Sequence, residues 1–234
     1  MKTRGHSGEA HVVLFLPDGT LISAGDDDKL VVWNARSMKK MTSIDSNHGG
    51  ILDVALSGNR IASVGMDGVV RLWSLPAYAL LEELRGHDDF IWSIGSLGDG
   101  RIVSVGRDGS IRWWDASGRQ PTAVEISTTM PVSDIAFVWN EVLVAVSEFD
   151  SRIQVVNVQT GESRKIPSKV DHVLTIVEFV PTTSTVITGD VEGQVRLWDV
   201  DAMKSGPLIG SCKRQISSMD VSEFGKIVAV GTFG

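Results

Sequence analysis

The chain of 234 residues is 42% apolar and 22% charged, a globular balance that excludes disorder, collagen-like structure and a coiled coil. With 22 Lys plus Arg against 29 Asp plus Glu the net charge is -7, which disfavours a long phosphate backbone as main partner. One cysteine, Cys212, excludes an internal disulfide and a Cys-rich zinc site, and no apolar run reaches the roughly 20 residues of a membrane-spanning helix.

The first ten residues, MKTRGHSGEA, lack the apolar stretch of a signal peptide, so a reducing compartment is expected, the cytoplasm first and the nucleus as alternative. After Gly5-His6 come the alternating run HVVLFLPDG and two β-branched runs in LISAGDDDKLVVWN, split by a tight acidic turn and ending at Asn34. MKKMTSIDSNH supplies a fourth strand and a return loop. The pattern repeats as ILDVALSGN and IASVGMDGVVRLWS, ending at Ser74. The segment PAYALLEELRG that follows has helical propensity in its Leu and Glu, but its place in the repeat makes it a fourth strand. FIWSIGSLGDG and IVSVGRDGSIRWWD form the third unit, DIAFVWNE and LVAVSEFDSRIQVVN the fourth, LTIVEFVPTT and VITGDVEGQVRLWD the fifth. A sixth begins at ISSMDVSEFGKIVAVGTFG and stops at Gly234. Trp33, Trp73, Trp114 and Trp198 lie 40, 41 and 84 residues apart, a period of about 41 in which Val156 takes the missing fourth Trp position. One four-stranded sheet cannot bury both its faces alone, so units of this period stack as the blades of a propeller.

The pairs Gly5-His6 and Gly86-His87, the Asp-containing turns, and Trp33-Asn34 and Trp114-Asp115 resemble the WD-repeat β-propeller family across essentially the whole chain. The resemblance implies an all-β domain over 1–234, with four-stranded antiparallel blades at about 5–44, 45–85, 86–127, 128–169 and 170–211, and a partial blade at 212–234. Such a chain is expected to be an incomplete portion of a larger, seven-bladed propeller. Its run 226–233 presents an unpaired edge that either about 50 further residues or a strand from another chain would cover.

The resemblance also implies a buried network of His, Ser or Thr, Asp and Trp in each blade. By position these are His6, Ser23, Asp27 and Trp33; His48, Ser63, Asp67 and Trp73; and His87, Ser104, Asp108 and Trp114. The fifth blade offers Thr188, Glu192 and Trp198, with Val170 and His172 near the His position. The fourth keeps Asp150 but has Val146 and Val156, and the sixth has Cys212 and Ala229 at the His and Ser positions. A nucleophilic triad is the competing reading of Ser, His and Asp. It fails because the set recurs in three successive units beside a Trp that buries it, whereas catalysis needs one exposed nucleophile. The run Asp26-Asp27-Asp28 is read as a hairpin turn rather than a calcium site, and no cofactor or metal is expected.

Partner contacts are expected on the loops at one end of the blades, since loops on a rigid scaffold carry function. Mapping the contact positions of WD-repeat proteins gives Glu9, His11, Asp26, Met66, Phe90, Trp92, Arg107 and Phe149, with Ser133, Val173, Thr175 and Val191 at the same positions of later blades. The reading is a non-enzymatic scaffold for a protein or peptide partner, with no membrane insertion and nucleic acid disfavoured. The alternatives are a ubiquitin-ligase substrate receptor, suggested by Trp33-Asn34-Ala35-Arg36 as an imperfect WDxR, and a propeller enzyme with a central site.

Overall fold

The computed structural model describes the chain except residues 1–4, 98–99, 116–125, 128–131, 140–141, 148–152, 158–159, 168–169, 182, 223–224, 226 and 233–234. The chain divides into two compact units, residues 1–124 and 125–234. All regular structure among the described residues is β.

In the first unit, the first sheet has order β1 (Ala10–Phe15), β2 (Thr20–Gly25), β3 (Lys29–Asn34), β4 (Lys39–Asp45), and the second has β5 (Ile51–Ser57), β6 (Arg60–Gly65), β7 (Val69–Ser74), β8 (Leu80–Arg85). The inner strands of the third are β9 (Ile91–Ser96), β10 (Ile102–Gly106) and β11 (Ser110–Trp114). All neighbours pair antiparallel. The segment with helical propensity is β8, paired along β7 from Trp73↔Leu80 to Val69↔Arg85. Tertiary pairing overrides a propensity difference of a few tenths of a kcal/mol per residue.

The second strands show why the sequence reads as apolar runs. Every residue of β2 and β10 is buried, and in β6 only Arg60 is not. A strand with a partner on each side and side chains packed on each face has no solvent side to reserve for polar residues. Ile22, Leu30, Val32, Ile51, Val54, Ile61 and Trp73 form one core between the first two sheets, and Ala62, Leu72, Ile91, Ile94, Ile102 and Trp114 form the next, between the second and third.

The second unit begins with the two-residue β12 (Ile126–Ser127). Its first complete sheet has order β13 (Val132–Trp139), β14 (Val142–Ser147), β15 (Ile153–Asn157), β16 (Ser163–Ile166). The next has β17 (Leu174–Phe179), β18 (Thr185–Asp190), β19 (Gln194–Asp199), β20 (Lys204–Ser211). The last has β21 (Ile216–Val221) beside β22 (Val228–Thr232). Val156, in the Trp position, is fully buried, so an apolar side chain there takes the buried place that the indole has elsewhere.

Candidate functional site

Two segments meet at one end of each sheet in the first unit: the chain entering the first strand and the turn between the second and third strands. Backbone bonds join them, Asp26 N–H to Glu9 O at 2.9 Å, Met66 N–H to Gly50 O at 3.2 Å and Arg107 N–H to Phe90 O at 2.8 Å. The ends of successive sheets also touch. Asp28 accepts from His48 N–H at 2.8 Å, and a Cβ on Gly68 would lie 2.8 Å from the Asp89 carbonyl oxygen. Gly68, at φ +70°, is thus fixed both by its backbone and by its neighbour.

Behind these loops the structure brings together three four-residue networks. The Trp33 indole N–H donates to Ser23 Oγ at 2.8 Å, and His6 bridges Ser23 at 2.6 Å and Asp27 at 2.7 Å. In the second sheet Trp73 and His48 both meet Ser63 at 2.8 Å, and His48 Nδ1 lies 2.8 Å from Asp67. In the third, Trp114 and His87 meet Ser104 at 2.7 Å, with His87 Nδ1 2.8 Å from Asp108. One proton arrangement satisfies all members: Nδ1–H donates to the carboxylate, the Ser hydroxyl donates to Nε2, and the Ser oxygen accepts from indole. Ser63 and Ser104 have no exposed surface and His48 is 1% exposed, so neither hydroxyl can meet a substrate.

Each network also sets a carboxyl's acidity. Burial pushes Asp67 up, but hydrogen bonds from His48 and Arg71 more than offset it and leave it at about 2. Asp108 is held well below the usual range, burial being outweighed by His87 and the Ser110 N–H, and Asp27 is lowered in the same way by His6 and the Ser7 N–H.

Sequence reasoning missed four residues. Arg71, 5% exposed, donates to Asp67 at 2.6 Å and to Glu83 at 2.9 Å, tying the second network to the outer strand. Asp53 on β5 accepts from Val54 N–H at 2.8 Å, Ile94 N–H at 2.9 Å and the Ser93 hydroxyl at 3.0 Å, and so clamps β5 to β9 of the next sheet. Burial is the larger influence on it, and against those donors it raises the carboxyl to about 6. Asp134 does the equivalent from β13, accepting from Ile135 N–H and Val177 N–H, both at 2.8 Å. The fourth is Asp190. In the fifth unit Trp198 donates to Thr188 Oγ1 at 2.7 Å, but Glu192 is exposed, and Asp190, 2% exposed, accepts from Glu192 N–H and Gln194 N–H instead. A signal was present: three carboxyl-bearing or polar positions, 190, 192 and 194, flank Gly193.

The residues mapped as partner contacts fall at the loop end. Phe90 and Trp92 are half-buried and meet edge to face, ring centroids 6.1 Å apart. The Arg107 guanidinium lies 5.8 Å from the Phe90 centroid and its Nε 3.9 Å from Asp89. The Trp92 indole nitrogen is buried with no partner among the described residues. Met66 is 36% exposed, Glu9 is exposed, and His11 pairs with Asp26 at 2.6 Å. The three acids of the Asp26-Asp27-Asp28 run diverge to His11, His6 and the Ser46–His48 segment, which leaves no common point for a cation. Phe149, Asp150 and the side chain of Val146 lie outside the described residues. In the second unit Ser133, Val173 and Val191 are half-buried, and the Thr175 hydroxyl donates to Ile216 O at 2.7 Å, holding β17 to β21. Cys212 Sγ lies against the Gly193 and Arg214 carbonyls, and Ala229 on β22 is exposed.

Known proteins share this architecture. A family model described as "WD domain, G-beta repeat" matches residues 1–34, 39–74, 79–115 and 164–199. The periodic tryptophan protein 2 homolog of Caenorhabditis elegans is 35% identical over 81 residues, 33% of this chain and 9% of that protein. Ribosomal RNA-processing protein 9 of Saccharomyces cerevisiae is 32% identical over 100 residues, 41% of this chain and 18% of that protein. Pre-mRNA-splicing factor cwf17 of Schizosaccharomyces pombe is 30% identical over 95 residues, 39% of this chain and 28% of that protein. The chain thus spans under a third of the length of each of these relatives. Among solved structures, U3-55K aligns with a TM-score of 0.86 at 19% identity over 99% of this chain and 76% of that one. The RRP9 WD40 repeats align at 0.85 and 19% over 98% and 74%.

Proposed function

Because the chain belongs to the WD-repeat family and has its all-β propeller fold, we propose that it is a non-enzymatic scaffold whose loop end, around Phe90, Trp92 and Arg107, docks a protein subunit of a larger assembly. The observation that carries the reading is the Phe90–Trp92–Arg107 cluster. An edge-to-face aromatic pair capped by a guanidinium, with Met66 36% exposed on the neighbouring turn, has the composition of an interface centre. The Ser, His and Asp sets speak against chemistry at the same end, since each is consumed in holding a Trp and a turn.

Relatives named for ribosomal RNA processing and pre-mRNA splicing support an RNA-processing particle as the assembly, and with it the nucleus rather than the cytoplasm. In such a particle the chain meets protein; its net charge of -7 disfavours direct RNA contact. The test is capture from nuclear extract with wild type, Trp92→Ala and Phe90→Ala, followed by direct titration of the recovered partner. Truncation should weaken binding by about 2 kcal/mol or more, as at hot spots, with the unfolding midpoint nearly unchanged. Equal affinity for all three proteins, or loss of cooperative unfolding in the variants, would remove the cluster from the interface.

A further inference from the structure

The loop end of the first unit is strongly polarised in charge. Its six segments, residues 5–9, 26–28, 46–50, 66–68, 86–90 and 107–109, hold Glu9, Asp26, Asp27, Asp28, Asp67, Asp88, Asp89 and Asp108 against Arg107 alone. These are eight carboxyls to one guanidinium. At the opposite end of the same sheets, the described residues 16–19, 35–38, 58–59, 75–79, 97, 100–101 and 115 hold two acids and two bases, Asp18, Asp115, Arg36 and Arg101. The excess negative charge of the unit is therefore gathered where the aromatic cluster lies.

The polarity is built into the fold. Asp27, Asp67 and Asp108 are lowered by their His partners and by backbone N–H groups, so they stay ionised throughout the neutral range. Around them Glu9, Asp26 and Asp88 are exposed, and Asp89 keeps 40% of its side chain in solvent. Arg71, outside these segments, pairs with Asp67 alone among these carboxyls, at 2.6 Å, and Arg107, the one cation within them, lies over Phe90, which shows that the ring face accepts a guanidinium.

We infer that the occupant of this surface is a cationic peptide segment, one that sets apolar side chains on Met66, Phe90 and Trp92 and Lys or Arg side chains against Glu9, Asp26, Asp88 and Asp89. The inference rests on the docking reading above and adds the chemistry of the partner. Apolar contact alone does not choose among partners, whereas charge does: an acidic peptide or a nucleic acid brought to the cluster would meet like charge from several carboxylates at once. Such a field also speeds the encounter and fades with salt.

The test uses the full chain and three fluorescent probes: a peptide with alternating Arg and Leu or Phe, the same peptide with Glu for Arg, and a short single-stranded RNA. The basic peptide should bind best, its affinity should fall steeply between low and physiological salt, and Glu9→Gln/Asp88→Asn should weaken it about threefold or more, as rim charges do. Asp18→Asn, at the other end, should leave the affinity unchanged. Preference for the acidic peptide or the RNA, absence of binding to the basic peptide, or an unaltered affinity in Glu9→Gln/Asp88→Asn would overturn the inference. If the basic peptide fails while Trp92→Ala still releases the captured subunit, the docking reading stands and only the charge of the partner is wrong. If Trp92→Ala releases nothing, both fall.

Discussion

Asp53 gives this protein a stability slope opposite to the usual one. Its carboxyl stands at about 6 against 3.8 in the unfolded chain, because burial outweighs the donors from Ile94, Val54 and Ser93. Below 3.8 the group is protonated in both states. Between 3.8 and 6 the folded state holds the extra proton, so stability falls as pH rises, and above 6 the whole cost of the buried charge is present. At about 1.4 kcal/mol per pH unit the ceiling is roughly 3 kcal/mol. The residue keeps a partial exposure that screens the charge, so about 1–3 kcal/mol is expected. The perturbation is Asp53→Asn, which retains an acceptor oxygen and cannot ionise. Urea unfolding of both proteins at pH 4 and pH 7 gives a double difference in which the cost of the amide and the titration of every other group cancel. Wild type should lose about 1–3 kcal/mol more than the variant over that interval. Parallel profiles, within about 0.5 kcal/mol, would refute the assignment of a buried, charge-penalised clamp. Asp67 and Asp108 do not confuse the measurement, because their lowered values place their stabilising contribution above 3.8 and its loss below it.

Two further outcomes follow from the networks and the turns. Ser104→Ala orphans both Trp114 Nε1 and His87 Nε2 and should cost about 2–5 kcal/mol, whereas Thr188→Val orphans only Trp198 Nε1 and should cost about 1–3 kcal/mol; urea midpoints compare them. Gly193→Ala places a Cβ 2.4 Å from the Cys212 carbonyl oxygen at φ +81°, so its melting temperature should fall well below that of Gly210→Ala, where a Cβ meets nothing within 4 Å.

What the sequence reveals and what it conceals divide along the range of the interactions. The sheets are legible because their signal is local and repeated: a Trp every 41 residues or so, paired β-branched runs, and turns fixed by Asp and Gly. Position within that repeat was enough to make a strand of Leu80–Arg85 despite its composition. Asp53 was not legible, because in ILDVALS it reads as the polar member of an alternating run, and its donors lie 40 and 41 residues away on another sheet. Arg71 sits in VVRLWS as an ordinary outward residue, and only folding sets it between Asp67 and Glu83. The fifth turn misled for a steric reason: matching by position selected Glu192, but the shorter, buried Asp190 already accepts from both N–H groups of that turn, and Glu192 is left in solvent.

The repeat also separates structure from recognition within one chain. A residue type that returns at the same place in successive sheets answers a need that each sheet has, as Asp27, Asp67 and Asp108 answer the need of a His and a turn. A residue that does not return answers something else. At the turn position the first unit carries Asp26, Met66 and Arg107 in successive sheets, and on the first strand at the register of Trp92 it carries His11 and Leu52. In the second unit the corresponding positions are Val191, Ser133 and Thr175, and the Thr175 hydroxyl is spent on the Ile216 carbonyl. The sheet scaffold tolerates all of these, so packing does not explain why, among the described residues, an aromatic pair and a guanidinium gather in the third sheet alone. The repeating carboxylates make the end of the unit negative; in the docking reading proposed above, the non-repeating Met66, Phe90, Trp92 and Arg107 set where on that end a partner binds. Substitutions of the first kind should therefore register as stability, and of the second as affinity.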